Sequence, residues 1–151
     1  MIFKILQIAV PFVWFGLVVG ISFLEAPLKF QAPNITIPLG LGIGRLVFFW
    51  LNKIEIALMV LMLISLVFVR PKNKFPLAAF GAISLLLILE TVWLLPVLDA
   101  RAVLVISGEA APFSNLHLVY IAFDAIKLVL LFALGASLAR NYIGVPAEGR
   151  P

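Results

Sequence analysis

The chain has 151 residues, of which 64% are hydrophobic and 12% charged, and its formal net charge is +4. With a mean hydropathy of +1.22, it carries more apolar surface than a soluble domain of this length can bury, which excludes a water-soluble globular protein. The absence of cysteine excludes disulfides and thiolate metal sites, and a single histidine excludes a bis-histidine haem within one chain. The basic residues collect at segment ends and form no continuous face, which argues against a nucleic-acid partner.

Four apolar windows are long enough to cross a lipid bilayer as helices, because a core of about 30 Å needs about 20 helical residues. They cover residues 5–25, 44–69, 77–97 and 116–139. The first window is longer than the apolar core of a signal peptide and no small-residue cleavage pattern follows it, so we expect it to remain as a span. The sequence predicts one all-α domain over residues 1–151, an integral membrane four-helix bundle.

The three connections between these windows differ in composition. Residues 25–44 are rich in proline and glycine and are predicted to form an irregular loop. Residues 70–76 form a short basic connection, in which Pro76 begins the next helix. Residues 96–115 are mixed: the stretch "RAVLVI" is expected along the membrane interface, and Ser114 or Asn115 is the expected N-cap of the last helix.

The distribution of Lys and Arg predicts the orientation of the chain. With four spans, both termini and the 70–76 connection lie on the same side, which holds Lys4, Arg70, Lys72, Lys74, Arg140 and Arg150. The other side holds Lys29 and Arg101, offset by Glu25, Asp99 and Glu109. Because cytoplasmic loops carry the excess of Lys and Arg, both termini are predicted to be cytoplasmic, and a bacterial inner membrane is the expected location.

Charged residues interrupt the apolar windows at one common depth. The stretch "HLVYIAFDAIKLVLLFA" (117–133) contains Asp124 and Lys127, and the two preceding spans contain Glu55 and Glu90. At a rise of about 1.5 Å per residue, all four lie roughly 18–22 Å from the cytoplasmic ends of their helices. A charge in hydrocarbon costs at least about 2.5–3.5 kcal/mol, so we expect these side chains to face the bundle interior and pair there.

Helical spacing extends this layer toward the outer side. Residues seven apart return to nearly the same helix face, which aligns Asp124 with His117 and Asn52 with Arg45. We therefore predict a polar, ligand-binding pocket that opens outward past Asn52. Its floor is formed by Glu55, Glu90, Asp124 and Lys127, and its mouth by Glu25, Arg45, Asp99, Arg101 and His117.

Several functions fit such a pocket. The favoured one is binding or transport of a small polar or ionic species, coupled to protons or cations, because the number of ionisable groups exceeds what helix register needs. The second is a structural or partner subunit, in a homo-oligomer or a larger membrane complex, whose charges pair internally. The third, an intramembrane enzyme, needs a cofactor that the sequence does not name, and no catalytic residue is assigned.

Two further expectations concern the carboxylates. Together with His117 they form an oxygen-rich set suited to a hard or borderline cation, but no ligand-spacing motif is present, so the metal and any cofactor stay unassigned. Three carboxylates beside one ammonium do not all ionise cheaply in an apolar bundle. At least one of Glu55 and Glu90 is therefore predicted to hold a proton near neutral pH.

Three stretches resemble the transmembrane-protein-205-like family of small four-span membrane proteins (domain of unknown function 4149). They are "GRLVFFWLNKIE" (44–55), "LETVWLLPVLDARA" (89–102) and "FSNLHLVYIAFDAIKLVLL" (113–131). The matching positions are Arg45, Pro96, Arg101 and His117. The resemblance implies a four-helix bundle in a membrane and no established chemistry, and Asp124 and Lys127 have no counterpart in it.

Overall fold

The computed structural model describes residues 1–143, which form four helices joined by short connections. Each helix is long and apolar enough to cross a membrane, and the described residues contain no strand, which confirms the predicted all-helical architecture. Arg150, one of the six basic residues assigned to the cytoplasmic side, lies outside the described residues. The helices are α1 (Ile2–Gln31), α2 (Ile37–Phe68), α3 (Phe75–Ile106) and α4 (Leu116–Ile143).

The helices are longer than predicted, and the irregular loop predicted over 25–44 is wrong for most of its length. Within 25–44, only residues 32–36 are non-helical, because α2 already begins at Ile37. The Thr36 hydroxyl accepts a hydrogen bond from the Leu39 amide, and Pro38 occupies the first turn, where its missing N–H costs nothing. Gly40 remains helical because its missing Cβ leaves room for the Phe30 ring.

The predicted connection over 96–115 begins later than expected, because α3 continues through Pro96 to Ile106. The stretch "RAVLVI" (101–106) is the last part of this helix, and its place along the membrane interface stays a prediction. A π-helical segment, Glu90–Leu94, ends two positions before Pro96. Its wider turn changes the local hydrogen-bonding pattern, so the proline does not break the helix. A second π-helical segment, Val19–Glu25, lies in α1. Helix starts were predicted better: Pro76 lies in the first turn of α3, and the Ser114 hydroxyl accepts from the first amide of α4.

The four helices pack in a closed ring in which α1 contacts α2 and α4, and α3 contacts the same two helices. Short connections make consecutive helices antiparallel, the up-down arrangement of simple bundles. Gly135 lets α1 approach α4 closely, since a Cβ there would lie 2.8 Å from the Phe12 ring. The apolar core between the helices includes Trp14, Met62, Ile83, Leu87, Leu131 and Leu134.

One end of the bundle, the basic end, carries cations and no acid among residues 1–143. Lys4, Arg70, Lys72, Lys74 and Arg140 lie there, whereas every Asp and Glu of the described residues belongs to the bundle interior or to the opposite end. The opposite end, the mixed end, carries Glu25, Lys29, Arg45, Asp99, Arg101 and Glu109. This segregation agrees with the predicted grouping of basic residues on one side.

Gln7 joins three helices at the basic end. Its amide nitrogen donates to the carbonyl oxygens of Ser65 and Val69, both at 2.7 Å, and so completes the end of α2. Its amide oxygen accepts from the Tyr142 hydroxyl of α4 at 2.6 Å. The side chain is fully buried and its hydrogen bonds are made within the bundle, so this end is closed by specific polar contacts.

The outward faces of the helices are apolar. Leu46, Val67, Val92 and Val129 each expose about two thirds of their surface (66%, 66%, 67% and 69%). Apart from Lys53, which is exposed midway along α2, the charged side chains of residues 1–143 lie either inside the ring or at its two ends. Helix surfaces of this kind suit contact with lipid, because a lipid environment favours apolar side chains on the outside of a bundle and polar side chains on the inside.

Candidate functional site

Four ionisable side chains meet in the interior of the bundle, and we refer to Glu55, Glu90, Asp124 and Lys127 as the charged centre. The Lys127 Nζ lies 2.7 Å from Glu55 Oε1, 2.6 Å from Glu90 Oε2 and 2.9 Å from Asp124 Oδ1. The three acids come from α2, α3 and α4, so a single ammonium joins three helices. The predicted meeting of these residues at one depth is observed.

The helical positions of these residues explain why they converge. Asp124 and Lys127 are three residues apart on α4, which places them on one face, one turn from each other. Glu55 faces inward from α2, and Glu90 is the first residue of the π-helical segment in α3. All four side chains are at most 2% exposed, so the centre has no direct contact with the surface. π-Helical turns often occur at functional sites, because they redirect side chains locally.

Neighbouring polar residues hold the centre in place. The Trp14 indole N–H of α1 donates to Glu55 Oε1 at 2.8 Å, which ties the fourth helix to the centre. One turn nearer the mixed end, the Asn52 amide donates to the Thr91 hydroxyl at 2.8 Å, and this hydroxyl donates to the Leu87 carbonyl at 2.7 Å. Each acid thus has at least one fixed neighbour in Lys127 or Trp14, and the Asn52–Thr91 bonds form a separate polar group beside the centre.

The charges of the centre do not balance. Lys127 is the one cation within ion-pair distance of these acids among residues 1–143, and it faces three carboxylates. Hydrogen bonding is also incomplete: Glu90 Oε1 and both oxygens of Asp124 are buried without a hydrogen-bond partner, although Asp124 Oδ1 lies close to the ammonium. Unsatisfied buried oxygens of this kind are costly, so the centre has the capacity to take up protons or another positive group.

Oxygen atoms of Glu55, Glu90 and Asp124 lie within 4.8 Å of one another, a spacing at which they would be able to share a metal ion. The Lys127 ammonium, however, contacts one oxygen of each acid and so occupies the position between them. A metal ion would have to displace this ammonium or bind beside it. His117, considered with them as a ligand, lies at the exposed start of α4, about two turns from Asp124. The arrangement thus fits an ammonium-centred cluster better than a metal centre.

The residues predicted for the mouth lie at the mixed end, where several pair with near neighbours. Arg45 forms a bidentate ion pair with Asp99, at 2.5 and 3.1 Å, and Glu25 pairs with Lys29 at 3.3 Å. Arg101 donates to the carbonyl oxygen of Pro112, and His117 is exposed at the start of α4. None of these residues contacts the charged centre within the described part of the chain.

Two cavities open on the surface of the bundle, away from the charged centre. One, of about 470 Å³, lies at the mixed end and is lined by Gly42, Arg45, Leu46, Phe49 and Asp99. The other, of about 520 Å³, lies at the basic end between α3 and α4. A ligand bound at the mixed end would therefore contact the Arg45–Asp99 pair, while access to the charged centre requires the helices to separate.

The hydrogen bond from Trp14 to Glu55 was not predicted from the sequence. The signal was the position of Trp14 seven residues after Gln7, which places both polar side chains on one face of α1. Lys53, the other basic residue of α2 besides Arg45, does not join the acids: it is exposed and lies over the Phe49 ring at 5.3 Å from its centroid. The two π-helical segments carried no recognisable sequence signal.

No protein-family model, no curated protein and no solved structure matches this chain.

Proposed function

We propose that the four helices cross a membrane, with the basic end and the N-terminus in the cytoplasm of a bacterial cell. The apolar outward faces support insertion, because the charged side chains of residues 1–143, with the exception of Lys53, lie in the bundle interior or at its ends. The concentration of cations at one end, without acids among residues 1–143, supports the orientation through the positive-inside rule.

We further propose that the charged centre binds and passes a small positive species, with the proton as the simplest case. The observation that carries this proposal is the excess of acid: three buried carboxylates share one ammonium, and oxygens of Glu90 and Asp124 have no hydrogen-bond donor. A purely structural pair needs one acid for one base. Intramembrane acids in such excess are typical of proton and ion pathways.

The same oxygens support a proposal for the position of the exchangeable proton. Glu55 already accepts from the Trp14 N–H and contacts the ammonium through the same oxygen. Glu90 Oε1 and Asp124 Oδ2 lack any donor, so we assign the proton to the Glu90–Asp124 pair. The sequence analysis expected a proton on Glu55 or Glu90. The present assignment retains Glu90 as a proton carrier and has Asp124 in place of Glu55. Exchange would run through the mixed end, past Asn52 and Thr91.

A second function, that of a structural subunit, is favoured by one observation. The acids of the centre all face the Lys127 ammonium, and their side chains are almost completely inaccessible. A cluster of this kind fixes the register of three helices without moving any ion, and it would suit a subunit of a larger membrane complex.

Proton movement through reconstituted protein distinguishes the two functions. Purified protein is placed in vesicles that contain a pH-sensitive dye, and a potassium diffusion potential drives proton entry. We expect dye acidification faster than in protein-free vesicles, and a return to the protein-free rate in Glu90→Gln and Asp124→Asn. Glu109→Gln, at an exposed position of the mixed end, serves as the matched control and should retain the wild-type rate. A wild-type rate equal to that of protein-free vesicles would favour the structural subunit.

A further inference from the structure

The cavity at the basic end has one polar and one apolar half. Along α4 its lining runs from Phe132 and Ala133, through Ala136 and Ser137, to Arg140 and Asn141. Eight residues separate Phe132 from Arg140, so the lining covers about 12 Å along the helix axis. Across the cavity, α3 and the preceding connection supply Phe75 and Asn73. An apolar wall of phenylalanine and alanine side chains therefore leads directly to a guanidinium and two amides.

The charge around the polar half is uniformly positive. Arg140 is exposed and forms no ion pair within the described residues, and Arg70, Lys72 and Lys74 lie in the adjacent connection. No carboxylate of residues 1–143 lies at this end to neutralise them. A guanidinium binds phosphate oxygens in bidentate fashion, and the amides of Asn73 and Asn141 offer further donors. The polar half is thus complementary to a phosphate.

The apolar half decides which phosphate-bearing molecule fits. A free phosphate would make no favourable contact with the apolar wall formed by Phe132, Ala133 and Ala136. A phospholipid has an acyl chain directly below its headgroup, and this chain would pack against the wall. The small side chains on α4 leave the space in which a chain would lie, between α4 and the Phe75 ring. Basic clefts between transmembrane helices on the cytoplasmic side are known binding places for anionic headgroups.

We propose that this cavity binds one anionic phospholipid of the cytoplasmic leaflet. Its phosphate contacts Arg140, Asn73 and Asn141, and an acyl chain lies along Ala136, Ala133 and Phe132. The site is independent of the charged centre. It rests on the proposed membrane insertion and on the proposed orientation, which places the basic end in the cytoplasm. A bound lipid would join α3 to α4 at the end where Gln7 joins α1, α2 and α4.

Native mass spectrometry of the detergent-solubilised full chain tests this site. Phosphatidylglycerol and phosphatidylcholine with identical acyl chains are added in equal amounts, and the apparent affinity for each is measured. We expect a preference for phosphatidylglycerol, and a loss of about fivefold in its affinity in Arg140→Gln, as removal of one interfacial cation predicts. Lys72→Gln, at the same end but outside the cavity lining, should retain most of the wild-type affinity. Equal losses in both variants would show diffuse attraction and overturn the proposal.

A second pair of variants tests the apolar wall. Ala136→Leu fills the path of the acyl chain and should weaken phosphatidylglycerol binding, whereas Ala125→Leu, at an exposed position of α4 outside the cavity, should not. Unchanged lipid binding in Ala136→Leu would contradict the proposal, as would displacement of the lipid by millimolar inorganic phosphate. A dimer that is lost in Ala136→Leu while lipid binding persists would assign the cavity to a second copy of the chain instead. The Arg140→Gln comparison stands on its own if Ala136→Leu fails to fold.

Discussion

Replacing Lys127 with methionine should lower the free energy of unfolding by about 3–5 kcal/mol, because it leaves three buried carboxylates without their ammonium. Methionine keeps the approximate length of the side chain, so the loss reports charge more than volume. The measurement is denaturant unfolding of the purified protein in detergent micelles near neutral pH.

The pH dependence of this loss has a defined sign. Protonation of the buried carboxylates stabilises folded Lys127→Met more than the folded wild type, since the variant has no ammonium to offset their negative charge. The folded variant therefore takes up more protons as the pH falls, and its deficit relative to the wild type should shrink toward acid pH.

Lys53→Met is the matched control, because Lys53 is exposed on α2 and contacts none of the acids. Its effect should stay within about 0.5 kcal/mol, as expected of a surface substitution. If Lys127→Met is no more destabilising than Lys53→Met, the ammonium does not hold the carboxylates, and the description of the centre is wrong.

Removing an acid together with Lys127 should restore part of the lost stability. Lys127→Met combined with Asp124→Asn or Glu90→Gln has one buried acid fewer than Lys127→Met alone, so fewer acidic groups lack a cation. In each double-mutant cycle we expect a coupling free energy of about 1–3 kcal/mol, which is the range for residues in direct contact. The quantity measured is again the free energy of unfolding, for both single variants and for the double variant.

Glu109→Gln provides the reference cycle, because Glu109 lies at the exposed mixed end, away from Lys127. Its combination with Lys127→Met should be additive within experimental error. Additive behaviour of Asp124→Asn and Glu90→Gln as well would show that the three acids and the lysine are not energetically linked.

The meeting of the four charged residues was predictable from the sequence for a simple reason. A helix has a fixed rise, and a bilayer requires long uninterrupted helices, so the positions of Glu55, Glu90 and Asp124 along their spans translate directly into depth. The cost of exposing a charge to lipid then determines the side of the helix that faces inward. Both arguments need only local information, and the ion pairs of Lys127 agree with them.

The ends of the helices and the arrangement at the mixed end were not predictable in the same way. Proline and glycine in residues 25–44 indicated a loop, but Pro38 falls in a helical first turn, and Gly40 is a point of close contact with Phe30. These outcomes depend on tertiary packing, which overrides local propensity. Likewise, the partner of Arg45 is Asp99, fifty-four positions along the chain, and nothing in the spacing distinguishes it from other acids.

The protonation of the charged centre is the central claim, and infrared difference spectroscopy tests it directly. Spectra of the reconstituted wild type are recorded while the pH is raised from about 6, in buffer free of divalent cations. We predict a protonated-carboxyl band that disappears with rising pH, and that is absent from the spectrum of Glu90→Gln or of Asp124→Asn. Retention of the band in Glu109→Gln assigns it to the centre. A wild type in which every carboxylate is already ionised at pH 6, with no cation bound, would contradict proton exchange and leave an ion-paired structural bundle.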